Sequence, residues 1–385
     1  MIALEEALAL TCEHALAPAS ETLSLADAVG RRLTADVAAR HSQPPMDVSV
    51  MDGYAARAQD IRTGAELNVV GESKAGQGFP GILGPGEAVR IFTGAPVPQG
   101  ADRVVMQENA TRVADTLRID IADGPAFIRP EGRDFAHGDV LATAGTRLTP
   151  GHVTALSAAG HAEVDVRAPL RVGLLRGGDE LRPAGTPLAP GQIADANGPG
   201  LTALLRSWGH TPVDLGIVPD DPDSIGKNVK AALGTVDVLV PIGGASVGDH
   251  DHMQAVMREL GAEPVFSKVA VKPGKPVWLS RLGNVRVLGL PGNPGSAWVC
   301  AHIFLVELLG EPLPTTTLPL GADLAAGGGR AEYLRATVRD GRLFPVASQD
   351  SGLTRTIARA DALIPRAVGA ETMTAGQNAR AILID

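Results

Sequence analysis

Three times between residues 170 and 310 an apolar run stops at a glycine-rich loop. "LRVGLL" is followed by "RGGDEL", "DVLVPI" by "GGASVGD", and "VRVLGL" by "PGNPGS". Two of these loops lead directly into helical patterns, "HDHMQAVMRELG" and "AWVCAHIFLVELLG". Strand, glycine loop and helix in repetition predict an open, mostly parallel α/β sheet. Sheets of this kind bind ligands beyond the carboxyl ends of their strands. The three loops are therefore the first places to look for chemistry.

The rest of the chain follows other rules. At 385 residues it exceeds what one core organises, so several domains are expected. The first 40 residues look helical, with "LEEALALTCEHAL" at helical spacing, and Pro44–Pro45 end that pattern. From there to about residue 140, β-like runs ("LNVVGES", "EAVRIFTG", "DRVVMQENATRV", "LRIDIA") alternate with Gly- and Pro-rich turns. Helical spacing returns in "TPGHVTALSAAG", followed by a strand, "AEVDVRA". The β-rich block thus reads as an insertion. After "EPLPTTTLP" the tail holds short strands with an Asp340-Gly341 hairpin signal. The predicted class is multidomain α/β plus β. Residues 1–44 and 141–169 form a discontinuous N-terminal helical domain, and 45–140 an inserted β-rich domain. Residues 170–312 form the α/β domain, and 313–385 a small C-terminal β domain.

Composition excludes several partners. A net charge of −9, without a basic stripe, argues against nucleic acid. Aromatics are 3% against 46 Gly and 29 Pro, which implies many turns and cores of Ala, Val and Leu. Cys12 and Cys300 lack CxxC spacing, as expected of a reducing compartment. "MIALEEALAL" has no basic n-region and reads as an amphipathic helix rather than a signal peptide. No apolar stretch approaches the roughly 18 residues that span a bilayer. The expectation is a cytoplasmic protein with no membrane partner.

In "GGASVGDHD", Gly243, Gly244 and Gly248 let a ligand approach the backbone, and Ser246 adds a hydroxyl. The following helix turns its free N–H groups toward the loop, which suits an anion. A plain βα turn with an Asp N-cap has the same appearance. No Walker A motif occurs, so an ordinary P-loop NTPase is excluded. His250 and His252, two apart, fit capping and solvation better than a metal. "LPGNPGSA" repeats the design. Pro291 and Pro294 stiffen the loop, Gly292 relaxes it, and Asn293 and Ser296 offer hydrogen bonds. Two such loops in one domain strengthen the case for a bound anion.

Positive charge is concentrated beside them. "KVAVKPGK" holds three of the chain's six lysines, whereas arginine occurs 28 times. In an extended "KVAVK", Lys268 and Lys272 would face one side, roughly 13 Å apart. Lys272 and Lys275 flank a Pro-Gly bend and can converge. Two ammoniums about 6 Å apart repel by about 2–3 kcal/mol at an effective dielectric near 20, which an anion would relieve. Ammonium groups suit tetrahedral oxyanions, while the arginine fork prefers bidentate partners. Lysines also block strand edges, but a chain this rich in arginine could use arginine there. Four acids, Asp52, Glu180, Asp220 and Asp251, lie in glycine- or proline-marked loops. Such acids are often merely solvated or capping. Together with the lysines they suggest a phosphate-bearing substrate, a divalent cation and phosphoryl chemistry.

"MDGYA", "FTGAPVPQGADRVVMQEN", "RPEGRDFAHGDVLATAGTRL", "GGASVGDHD", "KVAVKPGKP" and "LPGNPGSA" together resemble the molybdopterin molybdenumtransferase (MoeA) family, which includes the corresponding gephyrin domain. The resemblance runs from the N-terminal helix to "SGLTRTIARADALI". It implies a four-domain, elongated homodimer in which residues 170–312 are the molybdopterin-binding domain. It also implies that adenylylated molybdopterin and molybdate combine, with Mg2+, to give molybdenum cofactor and AMP. By motif position Lys272, Lys275 and Ser296 would hold molybdate, and Lys268 the pterin nucleotide. Asp251, Glu180 and Asp220 would act on the cation and the phosphoanhydride, with Asp251 and Glu180 as metal ligands. Asp52 and Thr93 would complete the site, and Arg335 and Ser351 would contribute from the C-terminal domain. An adenylyltransferase and apo-molybdoenzymes are the protein partners implied.

The chain departs from the family pattern before "GDEL", where Arg176-Gly177 replace Ser-Thr. Arg176 stands there as a replacement phosphate contact or as a filler of the pocket. "GGASVGD", "PGNPGSA" and the "MDVSV" before "MDGYA" are further departures. Two other readings remain at this point. One is a molybdopterin adenylyltransferase, usually a single domain of similar α/β type. The other is a diverged, non-catalytic cofactor-binding chaperone or scaffold.

Overall fold

Val238–Ile242 is buried at every position, and Arg171–Gly177 at every position after Arg171. Continuous burial of this kind needs strand neighbours on both edges and cover on both faces. The computed structural model, which describes residues 1–243, 252–311 and 313–384, supplies both. A six-stranded sheet runs in the order Thr211–Val218, Arg171–Gly177, Val238–Ile242, Val285–Gly289, Trp278–Leu282, Glu263–Ser267. The first four strands are parallel. The last two add antiparallel, through a hairpin that pairs Leu282 with Val285.

Successive residues face opposite sides of a strand, and the two cores follow that rule. Leu174, Val240 and Leu288 share one core with Leu201, Leu205 and Phe304. Their neighbours Leu175, Leu239 and Val287 share the other with Ile225, Val229, Met253 and Met257. The helices Asn197–Ser207 and Pro294–Cys300 cover the first face, and Pro222–Ala232 and His252–Glu259 the second. Asp221 caps the third of these through Ser224 N–H at 2.8 Å, with Pro222 at its first turn. Pro294–Cys300 continues through a π-helical turn, Ala301–Leu305, into Val306–Leu308.

The chain forms two compact units, Met1–Ala19 with Ala168–Asp385, and Ser20–Arg167. Residues 1–19 therefore depart from the expected helical domain. The helix Leu4–Glu13 buries Leu4, Ala7 and Thr11, one stripe at helical spacing. Leu4 and Ala7 enter the core that holds Phe304 and Leu308. The chain is pinned there by Leu16 N–H to Leu308 O at 2.9 Å and Ile2 N–H to Lys268 O at 3.0 Å.

Within the second unit, residues 20–44 and 141–167 are less helical than expected. They hold one α-helix, Pro150–Ala158, capped by Thr149 and His152. Ser20–Ser24 pairs antiparallel with Glu163–Arg167. "SETLS" has a single apolar side chain and alternates half-buried with exposed positions, so its sequence carries little strand signal. The β-rich block is a six-stranded sheet in the order Arg103–Met106, Gly53–Ala56, Glu87–Ile91, Glu66–Ser73, Thr116–Ile119, Ala110–Val113. It packs over Tyr54, Leu67, Val89, Leu117 and Ile119.

The C-terminal strands form a sheet in the order Val271–Lys272, Ala331–Arg339, Ala362–Arg366, Asn378–Leu383, Thr315–Pro319, with Arg342–Pro345 against Ala331–Arg339. Asp340 and Gly341, at φ +48° and +69°, make the tight turn that the dipeptide predicts. Among the described residues no helix is long and apolar enough to cross a membrane.

Leu174 is fully buried at the centre of the first core. Leu174→Ala is expected to cost about 2–5 kcal/mol. Urea unfolding should show this as a lower midpoint, and an unchanged midpoint would contradict the packing described.

Candidate functional site

The carboxyl ends of the parallel strands meet in one cavity of about 490 Å³. Gly177 ends the strand Arg171–Gly177 and Gly178 follows it, Gly243 follows Ile242, and Pro291–Ser296 follows the strand Val285–Gly289. Gly243 is required by contact as well as by its φ of +84°. A Cβ there would lie 2.6 Å from the Gly177 carbonyl oxygen. Of the residues expected from sequence, Glu180, Asp220, Gly243, Pro291, Gly292, Asn293, Pro294 and Ser296 line this cavity together. Ser296 is buried. Gly244, Ser246, Gly248 and Asp251 lie outside the described residues.

Sequence reasoning missed Asn197, which lines the same cavity. Its side-chain Nδ2 donates to the Gly292 carbonyl at 2.8 Å, tying the start of helix Asn197–Ser207 to the proline-rich loop. The signal was available in "NGPG", a turn-forming stretch that opens the helix.

The C-terminal domain also reaches this loop. Gly295 N–H donates to Ser351 O at 2.7 Å, and Asn293 Nδ2 to Ser351 Oγ at 3.1 Å. Arg335 takes a different place from the substrate contact expected of it. Its side chain is fully buried and bonds to Gln349 Oε1, Asp350 O and Thr356 Oγ1. A buried guanidinium needs its donors satisfied, and the segment 349–356 that carries Ser351 satisfies them. Arg335 thus fixes the segment from behind.

The lysine segment does not run straight. Lys268 has φ +64°, which turns the chain after the strand Glu263–Ser267. Lys268 N–H then donates to Val277 O at 3.1 Å and Val269 N–H to Lys275 O at 3.0 Å. The extended "KVAVK" spacing is therefore replaced by a fold-back that sets Lys268 and Lys275 on facing stretches. All three lysines are exposed. Lys272 Nζ pairs with Glu332 Oε1 at 3.1 Å. Among the described lining residues the cavity includes Pro276 and none of the three lysines.

Arg176 neither reaches that cavity's lining nor lies in solvent. It is buried, with Nε on Asp195 Oδ2 at 3.0 Å and Nη1 on Leu174 O at 3.0 Å and on Asp214 Oδ1. The Arg176 hydrogen bond holds the Asp214 carboxyl below the usual range. A second cavity, about 900 Å³, adjoins this group and shares Gly178 and Leu181 with the first.

Asp52 and Thr93 belong to the other compact unit. Asp52 Oδ1 accepts from Thr93 N–H at 2.8 Å and from Thr93 Oγ1 at 2.9 Å. These bonds, the backbone one foremost, hold the Asp52 carboxyl below its ordinary value. The neighbouring Arg90 stacks between Tyr54 and Phe92, with its Cζ 5.1 Å and 4.8 Å from the ring centroids.

For a divalent cation, Glu180 and Asp220 provide hard carboxylate oxygens at one cavity. Among the described residues no three His, Cys, Asp or Glu side chains converge. One or two carboxylates completed by substrate phosphates is a Mg2+ arrangement rather than a protein-only cage. The donor set fits that ion.

Along its sequence the chain combines β-rich sheets with a mostly parallel α/β sheet whose strand-end loops share one cavity, the make-up of a multidomain α/β plus β protein. Residues 174–311 match the family model for a probable molybdopterin binding domain. Residues 2–160 match the MoeA N-terminal region (domain I and II), and 317–384 the MoeA C-terminal region (domain IV). The chain is 38% identical over 314 residues to the molybdopterin molybdenumtransferase of Haemophilus influenzae, covering 81% of this chain and 78% of that protein. It is 32% identical over 404 residues to that of Bacillus subtilis, covering 100% and 94%. A solved molybdopterin biosynthesis MoeA protein from Pyrococcus horikoshii superposes with a TM-score of 0.85 at 29% identity, covering 100% and 99%. The chain belongs to the molybdopterin molybdenumtransferase (MoeA) family.

Because Asp52 titrates below the ordinary carboxylate value, the Thr93 contacts stabilise the fold above that value. Their contribution is lost as pH falls through the lowered one. Thr93→Ala removes the hydroxyl and keeps the backbone donor. Carbon-13 NMR should then show the Asp52 carboxyl titrating at higher pH, still short of an unbonded aspartate. An unmoved midpoint would contradict the assignment.

Proposed function

We propose that this chain is a molybdenum insertase. It takes adenylylated molybdopterin and molybdate and releases molybdenum cofactor and AMP. The observation that carries the reading is the convergence of Glu180, Asp220, Asn293 and Ser296 at one strand-end cavity, in a chain whose relatives are named for this transfer. A relative of that name matches along the whole chain, and family models cover the α/β domain and the regions before and after it, which a single-domain adenylyltransferase would not require.

Roles follow from chemistry. The proline-rich loop presents the Ser296 hydroxyl and the Asn293 amide to an oxyanion. Lys272 and Lys275 supply ammonium charge to molybdate, and Lys268 supplies it to the pterin nucleotide. Lys272 would exchange its ion pair with Glu332 for the dianion. Gly243, Gly244 and Gly248 let the substrate phosphates approach the backbone, with Ser246 beside them. Glu180 with Asp251 would hold Mg2+, and Asp220 would orient the water that attacks the phosphoanhydride. When bound, Mg2+ neutralises charge that builds on the phosphoanhydride oxygens. Arg335 positions Ser351 at the rim of the site. Asp52 and Thr93, in the other unit, would complete the site from the second subunit of a homodimer.

The four-domain division 1–44 with 141–169, 45–140, 170–312 and 313–385 is proposed as the framework, with residues 1–19 docked on the α/β domain. We place the protein in the cytoplasm, where its two free cysteines, Cys12 and Cys300, would stay reduced. An adenylyltransferase that delivers substrate and apo-molybdoenzymes that receive product are the partners this chemistry requires.

The test is release of AMP and formation of cofactor from adenylylated molybdopterin, molybdate and Mg2+. The intact protein should turn over, and Lys272→Ala should lose about 100-fold or more in kcat/KM, the scale of one electrostatic contact in a reacting site. AMP release that does not depend on molybdate, or full activity in Lys272→Ala, would contradict the reading.

A further inference from the structure

We propose that Arg176 is a positioning residue, acting through Asp195 to set both Glu180 and Asn197 at the strand-end cavity. Its catalytic consequence rests on the insertase function, and its structural part on geometry alone.

The guanidinium is only 6% exposed. A buried charge persists only if it is paired and its hydrogen bonds are made. Arg176 meets that condition with two carboxylates, Asp195 and Asp214. Asp195 is 5% exposed, and two branches of hydrogen bonds leave it.

One branch leads to Glu180. The backbone N–H of Asp195 donates to Arg182 O at 2.8 Å, and that of Ile193 to Glu180 O at 2.9 Å. Between these bonds the two-residue strands Leu181–Arg182 and Ile193–Ala194 run parallel. A two-stranded pairing this short has little stability of its own. Anchoring Asp195 on Arg176 holds it closed, and Glu180 is the residue at its mouth.

The other branch leads to Asn197. Asp195 Oδ1 accepts from Gly198 N–H at 2.9 Å, which fixes the start of helix Asn197–Ser207. Asn197 then reaches Gly292 O at 2.8 Å. Gly198 is part of the device: a Cβ there would lie 2.5 Å from Asp195 Oδ2 and 2.8 Å from Arg176 Nε. The helix approaches the ion pair this closely only because residue 198 has no side chain. One buried arginine thereby links the loop bearing Glu180 to the loop bearing Asn293 and Ser296, without itself lining their cavity.

The experiment uses the full chain and four variants: Arg176→Met, Arg176→Lys, Asn197→Ala and the double variant Arg176→Met/Asn197→Ala. Amide hydrogen exchange is read first, without ligand. Arg176→Met should speed exchange in residues 178–182 and at Gly292 and Asn293 by about 10-fold, the scale of losing a charge-assisted hydrogen bond. Exchange in Ser20–Arg167 should not change. If Arg176→Met does not fold, Arg176→Lys, which keeps the charge but loses the fork, carries the same comparison with a smaller effect. Insertase assays come second. The Mg2+ concentration for half activity should rise about 10-fold in Arg176→Met, as when a metal ligand loses its support. The effects of Arg176→Met and Asn197→Ala on kcat should not multiply, because they lie on one path.

Unchanged exchange in the two loops, or an equal rise everywhere, overturns the proposal. Fast loop exchange with wild-type kcat and Mg2+ dependence overturns the positioning role. If the wild-type chain itself inserts no molybdenum, the function reading fails, and loop exchange alone decides this inference.

Discussion

The Gly177 carbonyl oxygen occupies the space that any side chain on residue 243 would need. That close approach brings the ends of two neighbouring parallel strands together, so that their loops and the proline-rich loop share one cavity. A parallel sheet alone places loops at one edge of the fold. It does not make them converge. Convergence depends on backbone meeting backbone without a Cβ between, and the chemistry assigned to Glu180, Asp220 and Ser296 depends on convergence.

Around that contact the chain fixes each loop by a different device. The proline-rich loop is held from the C-terminal domain, where buried Arg335 organises the segment carrying Ser351, and Ser351 in turn meets Gly295 and Asn293. The loop with Glu180 is held from below, by Arg176 and Asp195. The lysine segment is held at both ends, by its fold-back onto Val277 and by the parallel bridge of Val271 and Lys272 to Ala331 and Glu332. Rigid backing with exposed cationic tips would suit the oxyanion site proposed, since only the tips need to move.

Much of this was legible in the sequence, and the exceptions share a cause. Runs such as "DVLVPI" marked the buried parallel strands, because double-sided burial is what tolerates five apolar residues in succession. Glycine and proline marked the loop residues that the cavity gathers. Asp340-Gly341 announced its own turn. What stayed hidden was decided by tertiary partners. The helix Leu4–Glu13 shows its apolar stripe in sequence but not which core receives it. "KVAVK" reads as extended until Lys268 adopts a left-handed conformation. Arg176 reads as a phosphate contact or a filler of the pocket, because Asp195 and Asp214 lie 19 and 38 residues away. Asn197 shows only the turn signal "NGPG", and its role arises from the helix start being clamped beside Gly292.

If the strand-end cavity and the lysine turn form one oxyanion site, molybdate itself should reveal it. Crystals soaked in molybdate and measured at the molybdenum absorption edge address this directly. The account predicts an anomalous peak within hydrogen-bonding reach of the Ser296 hydroxyl, with the ammonium of Lys272 or Lys275 as a second partner. A peak bounded by other residues, or no peak at molybdate concentrations that saturate turnover, would contradict it.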